Sequence, residues 1–108
     1  MSEEVRTTKA LSRLKRKLTV ENLWMYIIRI LKEHGPLKAY EIKKKLAEEY
    51  GVKPATITVY IVIYKMRREK LLETIEVGGE TLYKPSEKGV AALEEARAFI
   101  DWVRKVLE

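Results

Sequence analysis

The sequence predicts an α+β fold, and three features carry that prediction. Two stretches of helical periodicity meet across the short turn Gly51-Val52-Lys53. An alternating stretch doubles back on Gly78-Gly79, and a long heptad-like run closes the chain. In that order the elements make a winged helix-turn-helix: a three-helix core plus a β-hairpin wing, a long C-terminal helix, and a basic N-terminal extension. Residues 1–18 are expected to form the extension, 19–85 the winged unit and 86–108 the closing helix.

The extension holds Glu3 and Glu4, then Arg6, Lys9, Arg13, Lys15, Arg16 and Lys17. Leu11, Leu14 and Leu18 share one helical face, so two readings stand: a basic amphipathic helix or a solvated tail. Thr19 is placed to cap a first core helix over about Val20–Glu33. There Val20, Trp24, Ile27 and Leu31 form an apolar stripe, and His34-Gly35-Pro36 ends it. The second helix, about Ala39–Tyr50, turns Ile42, Leu46 and Tyr50 inward and Lys43, Lys44, Lys45 and Glu48 mostly outward. Gly51 takes its C-cap.

The stretch KPATITVYIVIYKMRREK (53–70) carries conflicting signals. Thr56 to Tyr64 is almost all Thr, Val, Ile and Tyr, the composition of a strand. Yet Pro54 suits a first helical turn, and Lys65–Lys70 favours a helix. A strand here has no partner before the hairpin. A helix aligns Val59, Ile63 and Met66, with Val62 beside them, against the second helix. The helix, about 54–69, is therefore preferred. LLETIEVGGETLYKP then reads as a hairpin with a two-residue primed turn. Ser86 caps a last helix to about Leu107, striped by Leu93, Ala96, Ile100, Val103 and Leu107 and widened by Phe99, Trp102 and Val106.

Hydrophobic residues make up 46% of the 108 and charged residues 35%, which fits one folded domain with a modest core. Cysteine is absent, which excludes disulfides and thiolate metal sites and favours an intracellular, cytoplasmic setting. No apolar run approaches the ~20 residues of a membrane span, and the N-terminus lacks a signal-peptide core. Charge is dominated by Lys, Arg and Glu, with one Asp, one Asn and no Gln, a bias that resembles thermophile composition. The net charge of +6 suggests a polyanionic partner. No catalytic constellation, metal set or cofactor motif is visible. His34 sits at a helix end, Glu48-Glu49 and Glu94-Glu95 read as solvated faces, and Gly78-Gly79 lacks the pattern of a phosphate loop.

Three motifs resemble those of PadR-like transcriptional regulators. GPLKAYEIKKKL (35–46) resembles their Gly-Pro-Leu-His-Gly-Tyr-Glu-Ile pattern, and ITVYIVIYKMRREKLLE (57–73) their Gly-Thr-Leu-Tyr-Pro-Ala-Leu…Arg-Leu…Gly-Leu-Ile stretch. YKPSEKG (83–89) is similar to the Tyr-x-Leu-Thr-x-x-Gly that ends the wing and starts the dimerisation helix. Ile57, Ile61 and Lys70 replace the family's glycine, proline and pre-wing glycine. The resemblance implies a dimeric, sequence-specific double-stranded-DNA-binding regulator, with Tyr40, Thr58 and Tyr60 at matching positions near DNA. It also implies a homodimer through Leu93, Ala96, Phe99, Ile100, Trp102, Val103, Val106 and Leu107. A small apolar effector at the dimer interface, lined by Trp24, Phe99 and Trp102, stays open against core packing of the same rings.

The residues themselves point the same way, because the second helix of a helix-turn-helix presents its N-terminal part to the major groove. Its outward set is Lys53, Thr56, Ile57, Thr58, Tyr60, Ile61, Tyr64, Lys65 and Arg68. Lys38, Lys43, Lys44 and Lys45 read as phosphate contacts or as a solvated face, with Lys84 on the wing, and Arg13, Lys15, Arg16 and Lys17 as a basic arm. Glu73, Glu76 and Glu80 make the wing acidic, so it is expected to add little grip on phosphate. Two readings stand for Tyr60 and Tyr64, DNA contact or packing on the extension, and two for Thr56 and Thr58, DNA contact or helix capping. Ile57 and Ile61 face thymine methyls or the extension. The competing reading of the whole is a winged helix used for protein–protein interaction in a transcription or scaffold complex.

Overall fold

A computed structural model describes residues 8–108, so Glu3, Glu4 and Arg6 of the expected extension lie outside the described residues. Helix α1 spans Lys9–Lys17, a 3-10 turn Val20–Asn22, α2 Leu23–His34, α3 Ala39–Tyr50 and α4 Thr56–Arg68. Strands β1 (Leu72–Val77) and β2 (Glu80–Pro85) follow, and α5 covers Glu87–Leu107.

Helix α2 is the central element, packing against α3, α4, α5 and β2. Its Leu23, Ile27, Ile28, Ile30 and Leu31 are all buried, and they meet Ile42 and Leu46 from α3 and Val59, Ile63 and Met66 from α4. The helix begins at Leu23 rather than Val20. Thr19 does not cap it: its hydroxyl donates to the Lys15 carbonyl (2.7 Å), which closes α1 instead. Asn22 likewise turns its amide back to the Lys17 carbonyl (2.5 Å). The intervening 3-10 turn rotates the stripe, leaving Val20 exposed and Trp24 half-buried. Tyr50 also differs from expectation. It sits in the last turn of α3, where the core has run out, and its ring lies 5.3 Å from Tyr26 at the surface. Gly51 then reverses the chain in the left-handed conformation (φ 67°), and Val52 takes the inward place.

The β-branched run 56–64 is helical, as pattern rather than propensity demands. Pro54 is buried just before the first turn, and Val59, Ile63 and Met66 all face the core. The helix ends on Lys70 at φ 64°, the one non-glycine residue with positive φ among the described residues. The Leu71 amide donates to the Met66 carbonyl (2.8 Å) and the Lys70 amide to the Arg67 carbonyl (2.9 Å). This is the paired bonding of a helix end normally built on glycine.

Strands β1 and β2 pair antiparallel from Leu72↔Pro85 to Val77↔Glu80. Gly78 (φ 58°) and Gly79 (φ 80°) supply the two positive φ angles that a type I′ turn needs. Leu37 exchanges two backbone hydrogen bonds with Tyr83 (3.1 and 2.8 Å), so the α2–α3 loop covers the outer edge of β2. Ser86 joins three elements. Its hydroxyl donates to the Lys70 carbonyl (2.6 Å) and accepts from the Gly89 amide (3.0 Å), while its own amide donates to Leu71 (3.0 Å). Gly89 is required there, since a Cβ would lie 2.2 Å from the Leu71 carbonyl oxygen.

Candidate nucleic-acid interface

Helix α4 exposes one continuous face. Ile57 (66% exposed), Tyr60, Ile61 and Tyr64 are all open, with Thr56, Lys65 and Arg68 beside them and Thr58 half-buried. Among the described residues the extension does not cover this face, because α1 meets the body chiefly at the 3-10 turn and through the Tyr26 hydroxyl donating to Leu18 (2.6 Å). Within residues 8–18, then, no part of the extension packs on Tyr60, Tyr64, Ile57 or Ile61. Thr56 and Thr58 are not caps either: the N-cap position is Ala55, and no side chain caps the helix. The Arg68 guanidinium lies 5.9 Å from the Tyr64 ring centre, in cation–π range.

The lysines are not equivalent. Lys53 and Lys44 are exposed, and Lys43 is half-buried. Among the described residues, none of Lys43, Lys44, Lys53, Lys65, Arg67 and Arg68 is in an ion pair. Lys38, at the start of α3, is different. Its ammonium pairs with Glu80 of the wing and lies 5.7 Å from the ring centre of exposed Tyr40. The hydrogen bond to Glu80 holds the Lys38 pKa above its ordinary value.

The wing's one cation, Lys84, is engaged within the hairpin. Lys84 faces Glu73 across the hairpin (3.6 Å), and Thr81 donates to Glu76 (2.8 Å). On the extension, Arg13 and Lys15 are exposed, while Glu21 accepts from Arg16 (3.1 Å) and Lys17 (2.7 Å). The Lys17 and then the Arg16 hydrogen bond hold the Glu21 carboxyl below the usual carboxylate range. Thr8 caps this helix by accepting from the Leu11 amide (3.1 Å), which makes it the amphipathic helix rather than a tail.

Along α5 the proposed contact set divides. Leu93 is buried in the chain's own core, because it lies on the first turns of α5 where α2 covers it; it offers no outward surface. Ala96 and Val103 are half-buried, whereas Phe99, Ile100, Trp102, Val106 and Leu107 are exposed. Phe99 and Trp102 stack with ring centres 5.8 Å apart. Trp24 is not beside them: it lines a separate groove with Val20, Val62 and Ala92 and donates to Asn22 (3.3 Å). A single chain thus does not bring these three rings into one pocket.

Sequence reasoning missed two pairings that only the tertiary structure creates. One is Lys38 with Glu80. The other is His34, whose Nε2 lies 2.5 Å from a Glu49 oxygen and ties the C-terminal ends of α2 and α3 together. Glu33 is nearby, with the three sets of ligand atoms within 4.8 Å of one another, but all three residues are exposed. No local pattern announces a contact between residues so far apart in sequence.

No protein-family model and no curated protein matches the chain. Solved structures do. A PadR family transcriptional regulator from Eggerthella lenta superposes with a TM-score of 0.67 at 25% identity, over 92% of this chain and 93% of that one. A transcriptional regulator from Clostridium thermocellum gives a TM-score of 0.72 at 15% identity over 94% of each chain. F93 from STIV, a winged-helix DNA-binding protein, gives 0.66 at 19% identity over 76% of this chain and 89% of that one. Further PadR-family regulators align similarly, at 21–22% identity. No helix of the described residues is long and apolar enough to cross a membrane. The fold of this chain is therefore that of the PadR-like winged-helix regulators.

Proposed function

We propose that the chain is a dimeric, sequence-specific double-stranded-DNA-binding transcriptional regulator that represses by occupying its site. The observation that carries this reading is the open face of α4, flanked by Lys53, Lys65 and Arg68, on a helix-turn-helix scaffold. In this reading residues 19–85 are the DNA-binding unit, with Thr56, Thr58, Tyr60 and Tyr64 in the major groove and Tyr40, Lys43 and Lys44 on phosphates. Residues 86–108 form the dimerisation helix, and Arg13 and Lys15 extend the basic surface. Lys38 and Lys84, engaged by Glu80 and Glu73, contribute less. The exposed rings of α5 support self-association, since large unpartnered apolar patches mark interfaces. A two-fold dimer sets its two recognition helices about 34 Å apart, or a multiple of that, on a pseudo-palindromic site.

Affinity for duplex DNA is expected to fall steeply with salt, with about 0.9 counterion released per neutralised phosphate. A titration across salt concentrations checks this; absent binding at low salt, or binding indifferent to salt, sinks the reading. A second reading, a protein-interaction module, is favoured by the apolar Ile57 and Ile61 and by the acidic wing, whose cation Lys84 is engaged by Glu73. It expects a partner protein, and no loss of function on reversing the lysine charges.

A further inference from the structure

The first two turns of α4 are short of the groups that usually read bases. Guanine is read by bidentate Arg or Lys and adenine by bidentate Asn or Gln. The outward residues from Thr56 to Tyr64 are Thr56, Ile57, Tyr60, Ile61 and Tyr64, none of which is of those types. The chain has no Gln at all, and its one Asn, Asn22, spends both ends of its amide on Lys17 and Trp24. The cations begin only at Lys65, Arg67 and Arg68 and, on the other side of the helix start, at Lys53. The middle of the face is apolar instead. Ile57 is 66% and Ile61 46% exposed, an unusual amount of aliphatic surface for water to wet on a helix so basic at its end.

We infer that Ile57 and Ile61 read thymine, by packing their methyl groups against thymine C5-methyls in the major groove. The inference rests on the DNA-binding reading above and specifies its target: sites are recognised by where thymines stand rather than by guanine contacts. Residues four apart lie on one helical face with Cβ atoms about 5–6 Å apart. That spacing fits methyl groups one or two base steps apart, at about 3.4 Å per step along a strand. Charge complementarity selects duplex DNA as the occupant. Lys53 before the helix and Lys65 and Arg68 near its end bracket the apolar centre, so cations meet phosphates on both sides while the isoleucines enter the groove. The tyrosine hydroxyls of Tyr60 and Tyr64 then serve phosphates or base edges beside it.

The test uses the full chain. Duplexes that it retains are selected from a random pool, and the recovered site is resynthesised with deoxyuridine in place of each thymidine in turn. Uracil keeps the base pair and removes only the C5-methyl. At the contacted positions affinity is expected to drop about fourfold per methyl, the factor that corresponds to burying one such group. Placing 5-methylcytosine there is expected to recover part of the loss relative to cytosine. Ile57→Ala and Ile61→Ala, both at exposed positions, are expected to abolish the thymine-over-uracil preference while keeping the salt slope of the unmodified chain. Recovered sites bound equally with uracil, or a preference that survives both substitutions, would overturn the thymine inference and leave DNA binding standing. Failure to retain any duplex at low salt overturns the underlying reading as well.

Discussion

Lys70 holds a left-handed backbone at φ 64°, in a conformation that costs an L-residue roughly 1–2 kcal/mol. The paired bonds from Leu71 and Lys70 to the end of α4, and the Ser86 hydroxyl on the Lys70 carbonyl, over-determine the position and keep it there. Lys70→Gly relieves the strain at no loss of these bonds. It is expected to stabilise the fold by about 1 kcal/mol, which a thermal melt reads as a rise of about 4–8 °C. Gly89 is the opposite case. Its φ is unremarkable, and it is glycine because the Leu71 carbonyl and Ile28 leave no room for a Cβ. One position tolerates a side chain where backbone geometry asks for glycine; the other forbids one where backbone geometry does not.

Between elements, the sequence was informative wherever a periodicity had to be buried. Helix α4 could be read through its strand-like composition because Val59, Ile63 and Met66 align, and the hairpin because two adjacent glycines leave few alternatives. What escaped was decided by neighbours in space. Thr19 looked like a cap but bonds backwards to Lys15, Tyr50 looked inward but outlasts the core, and Leu93 belongs to the monomer. The outward face of α4 was legible as a list of residues, whereas which lysines are engaged was not, since Glu80 and Glu73 arrive from another element. At this scale the expected outcome is a division among cations. Charge reversal at Lys43 and Lys44 should lower duplex affinity at least about tenfold and flatten the salt slope by about 2, while Lys84→Glu should change the slope little. Filter binding across a salt series, with circular dichroism to confirm folding, measures the difference.

The whole molecule is elongated, 53 Å along its longest axis against 27 and 22 Å, and α5 contributes to that length. At 1.5 Å per residue, α5 runs for about 31 Å. Its buried residues, Gly89 and Leu93, both lie in its first third. The distal two-thirds present Phe99, Trp102, Val106 and Leu107 to solvent, more than an isolated chain has reason to carry. Trp102→Glu is expected to weaken self-association about thirtyfold or more, the scale of losing one aromatic anchor, with helix content retained. Sedimentation equilibrium over a range of protein concentrations reads that shift directly.

Ser86 gives this architecture a mechanical property. Through one residue, the end of α4, the start of β1 and the first turn of α5 share three hydrogen bonds. Gly89 then presses the first turn of α5 against the Leu71 carbonyl and Ile28 with no slack. The long helix and α4 are thus held by one shared anchor. In the proposed reading, a movement of the long helix's far end, where the aromatic rings lie, is expected to reach α4 through this shared anchor.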